Sequence, residues 1–150
     1  MELSHLDKKG KPSMVDVSEK PVEKRTAIAR GFIRLGRDTI KLIGDEAIAK
    51  GNVQLTAQIA GIQAAKKTSE LIPLCHPLEL KKINVDTEIT NDGIFVTSMV
   101  TYLGQTGVEM EALQAVSTAL LTIYDMCKAV DREMVMEGIE LVSKLKESPA

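Results

Sequence analysis

The stretch Gly104–Val130, GQTGVEMEALQAVSTALLTIYDMCKAV, constrains this chain more than any other. Its apolar residues recur at Val108, Ala112, Ala115, Val116, Ala119, Leu120, Ile123 and Cys127, which is a helical period with one broad buried face. Thr106 is positioned to cap the helix, because its hydroxyl can accept an orphan backbone N–H. Glu109 stands at capping-box spacing from Thr106, and Glu109 and Glu111 both fall in the first turn, where the helix dipole favours anions.

Charges are sparse on this helix. After Glu111 none appears until Asp125, followed by Lys128. Glu111 and Asp125 fall within about 40° of one face but lie about 21 Å apart along the axis. Two acids so placed do not easily share one small ligand within one subunit. They serve different sites, or a second subunit brings one end to the other, or they form a solvated stripe with Lys128 matched to the dipole. Spacing alone leaves the solvated stripe slightly ahead.

The remaining elements follow in order. Residues 1–20 are polar, with Gly10 and Pro12, and read as a flexible arm; residues 21–147 read as a single α+β domain. Thr26–Leu35 suits a strand with one wet face carrying Arg30 and Arg34. Asp38 suits the cap of a short helix reaching Ile43. Asn52 is a good cap for a helix over Val53–Leu71, which Pro73 ends. Pro73 and Pro77 then bracket Cys75 and His76 in a stiff loop. Lys81–Thr90 and Ile94–Tyr102 flank the turn Asn91-Asp92-Gly93 and form a hairpin. Met134–Leu145 reads as a final strand, with Ile139, Leu141, Ser143 and Leu145 alternating and a frayed tail KESPA after it. Strand, helices, two strands, helix, strand is the split βαβ, ferredoxin-like arrangement: an antiparallel sheet with helices packed on one face. The other sheet face is left to solvent or a partner, and the apolar residues available for it favour a partner.

Composition narrows function mainly by exclusion. Aromatic residues are only 3% of the chain, so the core must be aliphatic. A net charge of −2 gives no argument for nucleic acid or an anionic membrane. No apolar run approaches the roughly 20 residues of a membrane span, and the N-terminus lacks a signal-peptide core, so a cytoplasmic protein is expected. Cys75 and Cys127 are too few for a disulfide framework. Neither common glycine-rich nucleotide cradle is present.

Candidate chemistry lies elsewhere. His76 has a backbone fixed by its flanking prolines, which suits an acid, a base or a hydrogen-bond donor; a lone loop histidine more often bonds local carbonyls. Cys75 and His76 lack further ligands at workable spacing, so no metal is expected. Lys50 precedes a helix start, Lys66 and Lys67 lie near the end of that helix, and Lys128 lies near the end of the long one. Lysines at helix ends suit phosphate, although each alone is more often solvated.

Five segments together carry a specific likeness: MVDVS (14–18), KGNV (50–53), IAGIQAAKKTSELIPLCHPL (59–78), TGVEMEAL (106–113) and LTIYDMCKAVDREM (121–134). The chain resembles the cyclic pyranopterin monophosphate synthases of molybdenum cofactor biosynthesis over nearly its whole length. The resemblance implies a lyase that converts 3′,8-cyclo-7,8-dihydroguanosine 5′-triphosphate to cyclic pyranopterin monophosphate and releases pyrophosphate. It implies ferredoxin-like subunits assembled as a homo-oligomer, a hexamer built as a trimer of dimers, with the active site between subunits and no cofactor. By motif, Asp125, Lys128, Lys50 and His76 would be catalytic. Leu74, Cys75, His76, Met110, Glu111, Lys66 and Arg25 would bind substrate. The family's glycine-rich, basic C-terminal segment is not matched by KLKESPA, although Lys144 or Lys146 can stand in for its charge. A non-catalytic ligand-binding module on the same fold is the competing expectation.

Overall fold

Strict alternation sets the sheet. In β1 (Glu23–Arg34) the residues Arg25, Ala27, Ala29, Gly31 and Ile33 are buried, and in β3 (Gly93–Gly104) so are Ile94, Val96, Ser98, Val100 and Tyr102. These sets face each other across an antiparallel register running from Arg25↔Tyr102 to Ile33↔Ile94, so one face of both strands is apolar. β2 (Lys82–Ile89) pairs with β3, and β4 (Val135–Glu147) pairs with the other side of β1. The sheet order is β2-β3-β1-β4 in the computed structural model, which describes residues 4–149. The first three residues of the arm and the last of the tail lie outside the described residues.

Among the described residues four helices complete the fold: α1 (Arg37–Gly44), α2 (Val53–Lys66), the single turn α3 (Thr68–Leu71) and α4 (Glu109–Cys127). α4 lies against β1, β3 and α2, and the aliphatic core forms between them. This is the α+β, ferredoxin-like arrangement expected from the element order. Two glycines set how closely the layers meet. A Cβ on Gly31 would stand 2.7 Å from Leu120 and 2.9 Å from Val116, and one on Gly61 would stand 2.9 Å from the Ala115 carbonyl oxygen. Buried Ser98 is satisfied by donating to the Ala112 carbonyl at 2.7 Å, which ties the sheet to α4.

Several local expectations change. Asn52 does cap α2, its side chain accepting from Leu55 N–H at 3.0 Å. The helix stops at Lys66, however, and restarts as α3, because buried Thr68 bonds back to the Ala64 and Ala65 carbonyls. Asp38 does not cap α1. Asp131 takes that place from a distance, accepting from Gly36 N–H at 2.8 Å and from the Thr39 hydroxyl at 2.9 Å. Thr106 does not cap α4, whose N-cap position is Val108. Tyr102 holds the loop instead: its hydroxyl accepts from Thr106 N–H at 2.9 Å and donates to the Thr106 carbonyl at 2.7 Å.

β4 runs on to Glu147, opposite Lys24, so the start of the expected frayed tail is paired. Irregularities opposite Ile28–Ala29 and Arg30–Phe32 break its alternation. Leu141 therefore shares the helix side of the sheet with Ala29, while Leu145 shares the opposite side with Thr26. Almost all of β4 is exposed on both sides.

A valine at position 61 should push α2 off α4, costing about 2 kcal/mol and lowering the melting temperature by roughly 5 °C. Thermal denaturation of Gly61→Val checks this; an unchanged midpoint would show that the two helices can separate freely.

Candidate functional site

α4 carries a different constellation at each end. At its C-terminal end Asp125 sits between two lysines: Lys50 Nζ lies 2.9 Å from one carboxylate oxygen and Lys128 Nζ 2.9 Å from the other. Lys50 also donates to the Asp125 carbonyl at 3.0 Å, so the loop before α2 is fastened to the end of α4. The hydrogen bonds from Lys128, and then from Lys50, hold the Asp125 carboxyl below the usual carboxylate range. Both pairs are open to solvent, and exposed ion pairs contribute little to stability. Their chemical meaning is a compact group of two cations and one ionised carboxylate.

At the other end, where α4 begins, lies a cleft of about 660 Å³. The Pro-bracketed loop supplies Leu74, Cys75 and His76, and the first turn of α4 supplies Glu109, Met110 and Glu111. The N-terminal arm forms much of the remaining wall through Val15, Val17 and Lys20. His76 is held by its Nε2, 2.6 Å from the Val15 carbonyl; because a carbonyl only accepts, that nitrogen carries the proton.

Glu111 is only 4% exposed, and one of its carboxylate oxygens has no hydrogen-bond partner among the described residues. Burial first, and the charge of Glu109 less strongly, push its carboxyl up to about 7, against a smaller opposing bond from its own backbone N–H. A carboxyl that titrates near neutrality, with a free oxygen in a cleft, can give or take a proton. Burial, followed by the charges of Glu111 and Glu109, raises the Cys75 thiol. Cys75 is thus a thiol at neutral pH and suits hydrogen bonding rather than nucleophilic attack.

Arg25 belongs to the same end. It lies on the helix side of β1, opposite Tyr102, and its guanidinium Nε is buried without a partner among the described residues. Among the described residues its ion-pair partner is Glu23, at 4.0 Å. Lys66 is exposed at the C-terminal end of α2.

Leu74, Cys75, His76, Met110 and Glu111 thus come together, as do Asp125, Lys50 and Lys128, but the two groups occupy opposite ends of α4. Sequence reasoning missed Glu109, whose capping-box spacing concealed it. Its carboxylate lines the cleft, pairs with Lys144 of β4 at 3.2 Å and leaves one oxygen unpartnered among the described residues. Two acids in one turn, the first of them two residues after Gly107, were the available signal. The arm's place in the cleft wall was likewise missed.

Known proteins match almost the whole chain. A model of the MoaC family matches residues 14–146. A curated relative from Desulfatibacillum aliphaticivorans, named cyclic pyranopterin monophosphate synthase, is 54% identical over 145 residues, covering 95% of this chain and 91% of its own.

The Glu111 carboxyl makes stability pH-dependent with a definite sign. Its ordinary value is 4.5 and its folded value about 7, so between the two the folded chain holds a proton that the unfolded chain has lost. Stability therefore falls as pH rises through that window, by roughly 3 kcal/mol in all, and is level above it. Glu111→Gln removes the charge and should melt roughly 5 °C or more above the parent at pH 8, with the two close together at pH 5. Equal melting temperatures at pH 8 would mean that Glu111 ionises there at no cost.

Proposed function

The chain belongs to the MoaC family, and on that premise we propose that it makes cyclic pyranopterin monophosphate for molybdenum cofactor biosynthesis, acting as a phosphorus–oxygen lyase. The substrate in this reading is 3′,8-cyclo-7,8-dihydroguanosine 5′-triphosphate. A substrate hydroxyl forms a new P–O bond at the α-phosphorus, the bond to the β-phosphate breaks, and pyrophosphate leaves with the electron pair. The hydroxyl proton passes to a base, and the ring rearrangement needs further proton transfers.

The observation that carries the reading is the division of labour between the two carboxylates of α4. Glu111 is pushed up to about 7 by burial, whereas Asp125 is kept ionised by its lysines. Pairs of acids driven apart in this way are characteristic of acid–base sites. Glu111, with Leu74, Cys75, His76 and Met110, holds the ring end of the substrate. Lys50 and Lys128, supported by Lys66, neutralise the triphosphate and the departing pyrophosphate, and Arg25 adds a substrate-binding cation from the Glu111 end. A triphosphate that draws Lys50 and Lys128 onto itself releases the Asp125 carboxylate, leaving it free to accept a proton.

Both groups must reach one substrate, and about 21 Å of helix separates Glu111 from Asp125. The reading therefore places the active site between subunits of a homo-oligomer, with a hexamer built as a trimer of dimers. Support comes from β4, which exposes Val135, Met136, Ile139, Leu141, Val142 and Leu145 by 38–52% each. An edge strand this apolar calls for a cover. No helix among the described residues is long and apolar enough to cross a membrane, and Cys75 and Cys127 are free thiols. Both observations agree with a cytoplasmic reaction.

Incubation with the cyclised dihydro-GTP substrate should release pyrophosphate and pterin product in equal amounts. Asp125→Asn should keep the fold, since the side chain is exposed, and lower turnover about 100-fold or more. Binding without turnover by the parent protein would make this a ligand-binding module. Activity of the variant within a few-fold of the parent would remove Asp125 from the chemistry.

A further inference from the structure

The arm between Val15 and Lys20 crosses the cleft and is held there at two points. His76 Nε2 donates to the Val15 carbonyl at 2.6 Å. Farther along, Gln105 Nε2 donates to the Ser18 carbonyl at 3.2 Å and to the Lys20 carbonyl at 3.0 Å. One amide nitrogen has two hydrogens, and here each has a carbonyl.

Local turns make this double grip possible. Asp16 accepts from both Ser18 N–H, at 2.9 Å, and the Ser18 hydroxyl, at 2.6 Å. Lys20 N–H then donates to the Val17 carbonyl at 3.0 Å. The curl brings the Ser18 and Lys20 carbonyls to one nitrogen while Val15, Val17 and Lys20 line the cleft. Gln105 itself rests on a firm base. It lies in the loop between β3 and α4, and the next residue, Thr106, is pinned at both its N–H and its carbonyl by buried Tyr102. Both grips therefore come from loops that border the cleft, one carrying His76 and the other leading into Glu109–Glu111.

We propose that residues 15–20 form a strap closing one wall of the substrate cleft, and that Gln105 is its positioning residue. Gln105 acts through the arm, since it is not part of the cleft wall among the described residues. Its consequence falls on how firmly the cleft holds substrate, not on the bond-making step. This rests on the reading of the cleft as the substrate site, whereas the grip itself does not.

The test compares full-length parent protein with Gln105→Glu and Gln105→Lys. Glutamate has the same shape but only accepts, so it faces two carbonyls with no hydrogen to offer; lysine keeps the donors. Backbone hydrogen exchange of residues 14–20, measured without ligand, should speed up roughly fivefold or more in Gln105→Glu, the effect of losing one or two modest hydrogen bonds, and stay near the parent rate in Gln105→Lys. With the cyclised dihydro-GTP substrate, KM should rise roughly fivefold or more in Gln105→Glu, with kcat within about twofold, because uniform binding is what is lost. Unchanged exchange in Gln105→Glu would overturn the grip. Faster exchange with an unchanged KM would overturn the strap, leaving a tether that plays no part in binding. A parent protein that fails to turn over this substrate would refute the reaction instead, and the exchange rates would still decide the grip.

Discussion

The close approach of α4 to the sheet and to α2 is the constraint on which the rest of the structure depends. With 3% aromatic residues the chain has few large side chains to fill a wide gap, so its layers must meet closely. They meet over Gly31, which lies under Val116 and Leu120, and at Gly61, which lies against the backbone of α4 at Ala115. Once the helix is set at that depth, its two ends have different fates. The first turn is pressed into the cleft, where Glu111 is buried and its carboxyl rises toward neutrality. The last turn emerges into solvent, where Asp125 meets Lys50 and Lys128. The same packing that builds the core therefore gives two acids on one helix opposite electrostatic settings.

On the proposed reading, that setting leaves the single chain incomplete as a catalyst. Groups that move protons within one reaction must come within hydrogen-bond reach of the reacting atoms. A rigid helix holds Glu111 and Asp125 apart, and no rotamer change closes the gap. The exposed apolar residues of β4 lie on an edge strand of the sheet, so on the proposed reading the chain has both a divided site and an uncovered edge. The proposed assembly with a second copy of the chain would answer both.

Much of the fold was legible because alternation and period report burial directly. β1 and β3 declared their buried faces, and Asn52 and the prolines around Cys75-His76 marked their boundaries. The reading failed where partners lie far away in sequence. Thr106 looked like a cap because nothing local shows that the Tyr102 hydroxyl claims both its N–H and its carbonyl. Asp38 looked like a cap because Asp131, which takes that part, lies on the far side of α4 in the sequence. Alternation in β4 misled because irregular pairing shifts its faces partway along. In the site, the residue types near the cleft were visible as motifs, but the arm was not. It is held through the carbonyls of Val15, Ser18 and Lys20, and a backbone carbonyl leaves no signature in the sequence. Glu109 was hidden by a spacing that fitted a simpler role.

The central claim is that one active site takes Glu111 from one subunit and Asp125 from another, and subunit mixing tests it most directly. Glu111→Ala and Asp125→Asn proteins, each inactive alone, are combined in equal amounts under conditions where exchange of subunits is verified. In a mixed dimer one interface site carries both lesions and the other carries neither. Random exchange makes about half of the dimers mixed, so about a quarter of the sites, and of the parent activity, should return. No recovery after verified exchange would contradict the claim, showing that each site draws both residues from one chain or that one of them stands outside the site.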